Sequence, residues 1–282
     1  MVKRLVVNEG AHFTEDRPGR TRDVTVRKIQ GCRPIMHVAM LLTQQHLKPR
    51  DGALDLLKWL ALLSMVLDHL RYVGYSVDLL YVPGRLAFPW FCLAMAANLA
   101  RAPAVKSGGQ WRYLGWLLLF SAVSEVPYRM YIPDPDTLNV LPTLALGLLV
   151  ARGWQAQGRQ ARLLALVALV LAAVFWSRLM FGFFGVLLPL AMLLVIRRPW
   201  YFALLPGLIC LAANQWQVLY HAARLGNPAA IPAIATCLIA PWLGLFLLRH
   251  AKGVKPPPMR RWAYALYPVH FLVLLLVRQI AV

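Results

Sequence analysis

An aspartate and a histidine stand side by side inside the apolar run Leu62-Leu63-Ser64-Met65-Val66-Leu67-Asp68-His69-Leu70. Ionisable groups in a membrane-length apolar segment are costly, so they are kept where they pair or face a wet cavity. His69 has the chemistry of a general base, with its second ring nitrogen held by a carboxylate or carbonyl that fixes the tautomer. With Asp68 beside it, the pair is a candidate functional site. Successive residues point about 100° apart around a helix, so the two side chains diverge and should not bond each other.

Further polar residues cluster at a comparable depth. Arg85, in Pro83-Gly84-Arg85-Leu86-Ala87-Phe88-Pro89, follows Asp68 after a short connection and is its natural partner. Glu125 closes an apolar run in Ser124-Glu125-Val126-Pro127-Tyr128-Arg129. The spacing therefore predicts one polar cavity that holds Asp68, His69, Arg85 and Glu125. His270 lies in Tyr264-Ala265-Leu266-Tyr267-Pro268-Val269-His270-Phe271, nearer the middle of the last apolar run. Tyr267 and His270 are three residues apart and share a helix face. Pro268 leaves the Tyr264 carbonyl without its usual helix bond. Asn98 is a candidate substrate-binding residue. Arg101, Lys106 and Arg112 form a basic patch able to hold phosphates.

The elements that must position these residues are membrane helices. The chain has 282 residues, 60% hydrophobic and only 15% charged, against about a quarter charged in soluble proteins. A crossing needs about 20 apolar residues. About nine candidates emerge, at residues 54–73, 80–100, 113–130, 138–151, 162–178, 182–196, 200–213, 230–248 and 262–280. Pro142 and Pro206 are expected to break or tilt the fourth and seventh. The fold class is all-α, a polytopic transmembrane bundle.

The net charge of +19 sits in short clusters between the apolar runs, not on one stripe, which excludes a nucleic-acid partner. With nine crossings, Lys48/Arg50, Arg101/Lys106/Arg112, Arg152/Arg159/Arg162, Arg197/Arg198 and Arg249/Lys252/Lys255/Arg260/Arg261 share one side. The positive-inside rule then puts the N-terminus in the cytoplasm. Residues 1–50 read as a basic disordered leader, or as sequence upstream of the start used in the cell, with Met36 and Met40 as alternative starts. Cys32, Cys92, Cys210 and Cys237 lack metal-ligand spacing, and no metal is expected.

The order Lys58…Met65-Val66-Leu67-Asp68-His69, Gly84-Arg85-Leu86-Ala87-Phe88-Pro89-Trp90-Phe91, Ala97-Asn98-Leu99-Ala100-Arg101 and Tyr267-Pro268-Val269-His270 resembles the TraX family over residues 54–282. That family is named for the F-pilin acetylase of conjugative plasmids. The resemblance implies a multi-pass protein of the bacterial inner membrane that acetylates an envelope amine or hydroxyl, on a protein or glycan, with acetyl-CoA as donor. It implies that Asp68 and His69 form the catalytic or substrate-orienting pair and that Arg85 and His270 line the same cavity; in such an acetyltransferase either His69 or His270 is the catalytic base, and Arg101, Lys106 and Arg112 meet the donor phosphates. Two other classes stay open. One is a proton-coupled transporter or channel built on Asp68, Glu125 and the histidines, although the chain lacks the inverted repeat common in such proteins. The other is a non-enzymatic membrane component of a conjugation or secretion system.

Overall fold

The computed structural model describes residues 51–74, 77–101, 108–156 and 158–281. Residues 1–50 lie outside them, as does Lys106. Among the described residues the structure is all helix. In chain order the helices are α1 (Gly52–His69), α2 (Ala87–Arg101), α3 (Gly108–Tyr131), α4 (Val140–Ala156), α5 (Arg159–Val174), α6 (Gly182–Val195), α7 (Leu204–Ala213), α8 (Trp216–Arg224), α9 (Ala230–His250) and α10 (Ala263–Ala281). Each of the nine apolar runs coincides with a helix. Three stretches are long and apolar enough to cross a membrane by themselves: Asp78–Arg101, Ala230–His250 and Ala263–Ile280. A fourth arises if α7 with its leading turn and α8, which meet at 74°, count as one broken span.

Two expectations are corrected. Pro142 and Pro206 break nothing, because each sits at the third position of its helix, α4 or α7. There the ring displaces an amide that has no intrahelical partner. The polar stretch after Asn214, outside the nine apolar runs, holds a further helix, α8. Gln215, in the left-handed region at φ 54°, makes the break between α7 and α8.

Local chemistry fixes α1. The Asp51 carboxylate accepts the Leu54 amide at 3.1 Å and caps the helix start. Leu54, Leu57, Ala61 and Met65 form its buried stripe at helical spacing. Asp68 continues that stripe by three residues, which is why a carboxylate points into the protein. α1 packs on α2 and α9, α3 packs on α10, and α4, α5 and α6 pack together.

Polar contacts sort the helix ends. Arg101 pairs with Asp51 at 3.0 Å, and Arg197 donates to the Ala100 carbonyl at 2.9 Å. Arg249 donates to the Arg198 carbonyl at 2.6 Å, and Trp59 to that of Pro257 at 3.0 Å. The basic clusters so joined gather at one end of the bundle. Close helix approach elsewhere relies on small residues. A Cβ on Gly207 in α7 would stand 2.6 Å from the Leu238 carbonyl oxygen in α9. Gly207→Ala is therefore expected to cost about 1–3 kcal/mol by overpacking, read as a lower unfolding midpoint of the detergent-solubilised protein.

Candidate functional site

The Asp68 carboxylate is held from two directions. Its Oδ2 accepts Arg85 Nη2 at 3.1 Å. Its Oδ1 lies 3.1 Å from Arg71 Nε, one turn further on. That Nε–H points at the Asp68 main-chain carbonyl, 3.0 Å away, so Oδ1 is in ionic contact yet accepts no hydrogen bond. Arg85 also donates through Nη1 to Asn214 Oδ1 at 2.6 Å, and its guanidinium lies 3.9 Å above the Tyr81 ring. Asn214 is anchored in turn through Nδ2 to the Cys210 carbonyl at 2.8 Å. Ser64 donates to the Pro83 carbonyl and ties α1 to the turn before Arg85. Gly84 is required there, because a Cβ would fall 2.5–2.6 Å from the Asp68 side chain.

His69 points elsewhere, as the 100° offset demands. Its Nδ1 lies 2.8 Å from His270 Nε2, with the two rings stacked at 5.0 Å. For two uncharged rings, one set of tautomers fits the hydrogen bonds. His270 Nδ1 lies 3.3 Å from the Leu266 carbonyl, which can only accept, so His270 Nδ1 carries hydrogen. His270 Nε2 is then a lone pair that accepts from His69 Nδ1–H. His69 Nε2 is left as an unprotonated nitrogen with no hydrogen bond among the described residues. Tyr131 donates to the His69 carbonyl at 2.6 Å and holds the end of α1 in place. Phe271 and Tyr131 close around the pair, with ring centroids 4.9 and 6.5 Å from that of His69.

Two cavities approach this pair. The first, about 430 Å³, is lined by Asp68, His69, Arg71, Arg85 and Asn214, with aromatic walls that include Tyr81 and Trp176. The second, about 330 Å³, is mostly apolar. It is lined by Lys58, Asn98, Arg260 and Arg261 and by Tyr264 and Tyr267 of α10. His270 lies between them. It bonds His69 on the wall of the first cavity, and its ring is 5.5 Å from that of Tyr267 on the wall of the second.

Several expected members of a single cavity are therefore separated. Glu125 lines neither of these cavities. It accepts Arg129 at 2.7 Å, the Asn139 amide at 3.1 Å and Asn139 Nδ2 at 2.7 Å, so it ties α3 to the start of α4. His270 reaches the first cavity only through His69. Tyr267 and Asn98 belong to the second. Of the expected phosphate patch, Arg101 pairs with Asp51, Arg112 is exposed and lines neither of these cavities, and Lys106 lies outside the described residues. Residues missed from sequence are Arg71, Tyr131, Asn214, Lys58, Arg260 and Arg261. The i,i+3 relation of Asp68 and Arg71 was a usable signal. Nothing local announces Tyr131 or Asn214.

No curated protein and no solved structure matches the chain. A family model described as TraX protein matches residues 53–278, from the first turn of α1 almost to the end of α10, and so includes every residue of the histidine pair and both cavities. The chain belongs to the TraX family.

Proposed function

We propose that this protein is an integral membrane acyltransferase of the bacterial inner membrane that moves an acetyl group from acetyl-CoA to an amine or hydroxyl of an envelope protein or glycan. The observation that carries this reading is the free Nε2 of His69, held as a base by the His69–His270–Leu266 chain and facing a polar cavity. All nine apolar helices cross the membrane with the N-terminus in the cytoplasm. The gathering of the basic clusters at one end supports that orientation.

Acetyl-CoA would supply a thioester whose C–S bond breaks as the new C–N or C–O bond forms. His69 Nε2 takes the proton that the acceptor loses. Its Nδ1–H shifts toward His270 Nε2, so the positive charge spreads over two rings, and the proton taken up at Nε2 is passed to the departing sulfur. The acceptor, His69 and His270 stand as nucleophile, base and orienter in this arrangement. Asp68 and Arg85 orient the acceptor in the first cavity.

Tyr267 contributes at the opposite wall. Its hydroxyl accepts the Val140 amide at 3.3 Å, which leaves its own hydrogen free to donate into the second cavity. It can stabilise negative charge that develops on the donor carbonyl oxygen. Tyr267→Phe is expected to lower kcat about 10²-fold with little change in the donor KM, since such donors act in the transition state.

The reading is tested by mass spectrometry of envelope proteins and glycans from cells with and without this protein. The expected result is one species that loses an acetyl mass when the gene is deleted and regains it on complementation. An unchanged acetyl inventory, with proton-coupled solute uptake abolished by Asp68→Asn, would replace it with a transporter.

A further inference from the structure

We infer that the Lys58 cavity is the donor site: it binds the phosphate-bearing end of a coenzyme A thioester at Lys58, Arg260 and Arg261 and threads the pantetheine arm toward Tyr267 and His270. The inference rests on the acyltransferase reading and names the site where the donor sits.

The cavity has the polarity that such a ligand needs. Its three cations stand at the end of the bundle where α1 begins and α10 is about to begin. The Trp59–Pro257 hydrogen bond at 3.0 Å and the Trp59–Trp262 ring contact at 6.0 Å join those segments. Arg260 and Arg261 are exposed and form no ion pair among the described residues. Lys58 pairs with Asp55 across 3.4 Å, the outer limit of a hydrogen bond. Two unpaired guanidinium groups and an ammonium make a phosphate site of the kind that charge-assisted bonds favour.

Below the cations the walls become apolar, with Leu62, Met65, Phe91 and Leu144. A slender, weakly polar arm suits such walls better than a charged nucleotide does. From Lys58 to His69 the α1 axis rises about 16 Å at 1.5 Å per residue. An extended phosphopantetheine arm spans that order of length. The carbonyl end would then arrive at the Tyr267 hydroxyl, one side chain from the histidine pair. An anionic phospholipid shares the phosphate and the apolar tail, and it is the competing occupant.

The test measures binding of radiolabelled CoA to the purified full-length protein, separately from turnover. Arg260→Glu/Arg261→Glu is expected to weaken CoA binding about tenfold or more, and Leu62→Trp to weaken it by filling the throat. Arg159→Glu/Arg162→Glu, an equal charge change on two exposed residues of α5, should leave binding unchanged. Transfer from acetyl-pantetheine, which lacks the nucleotide phosphates, should be the same in the wild type and the Arg260→Glu/Arg261→Glu double variant. Wild-type CoA affinity in both the double variant and Leu62→Trp would overturn the site and leave the acyltransferase reading intact. So would a wild type that binds no CoA but retains an anionic phospholipid lost from the double variant in native mass spectrometry. CoA binding with this mutational pattern but without any acetyl transfer would uphold the site and overturn the acyltransferase reading.

Discussion

His69→Ala is expected to lower acetyl transfer about 10²- to 10⁴-fold, the range that a positioned proton acceptor supplies. The fall should appear in kcat, with the donor KM nearly unchanged, because His69 lines the first cavity and the proposed donor site is the second. His270→Ala should reduce kcat by a smaller factor. It removes the lone pair that keeps hydrogen on His69 Nδ1, and therefore the tautomer, but not the base itself. The two residues act as one unit, so the double variant should be no worse than His69→Ala alone. Independent, multiplying effects would show that the rings work separately. Steady-state rates on the acceptor identified from the envelope, with folding checked by thermal unfolding, make the measurement.

The second large effect is on stability. Arg85→Ala is expected to destabilise the protein by about 3 kcal/mol, toward the lower end for breaking a buried pair, because Asp68 keeps contact with Arg71. The side chains of Arg85 and Asp68 retain only 11% and 16% of their exposure, so water replaces little of the lost partner. Asn214 would lose its 2.6 Å donor as well. Asp68→Asn/Arg85→Gln should recover most of the loss, since no uncompensated charge then stays buried. An Arg85→Ala protein that unfolds in detergent at the wild-type midpoint would show that the pair does not hold α1 against the α2 entrance.

Much of this arrangement was legible in the residues. Continuous apolar runs located the helices, since a membrane-length run has few other uses. Asp68 and Arg85 could be paired because a connection of only 16 residues forces their helices to be neighbours. The divergence of Asp68 from His69 followed from helix geometry alone.

The rest depended on contacts between distant segments. His69 and His270 are 201 positions apart, and periodicity cannot say which ring faces which. Glu125 was assigned to the cavity on depth. Rotation around α3 decides its partners instead, and the i+4 residue Arg129 already offered one. The Lys58 cavity stays hidden in the sequence for a similar reason. Arg101, Lys106 and Arg112 are close in sequence, whereas Lys58, Arg260 and Arg261 meet only because the segment before α10 folds against the start of α1. Helix α8 was hidden because it is short and two-sided within a polar stretch, too brief to register as a span.

The central claim is that a donor from the Lys58 end and an acceptor from the Asp68 end meet at the histidine pair. The most direct measurement uses sealed proteoliposomes of uniformly oriented protein, with radiolabelled acetyl-CoA confined to the Lys58 face and the acceptor to the other. The expected result is label on the acceptor across the bilayer with wild-type protein, and none with His69→Ala/His270→Ala. Label transferred only when both substrates share one face, or transferred equally by the double variant, would contradict the account.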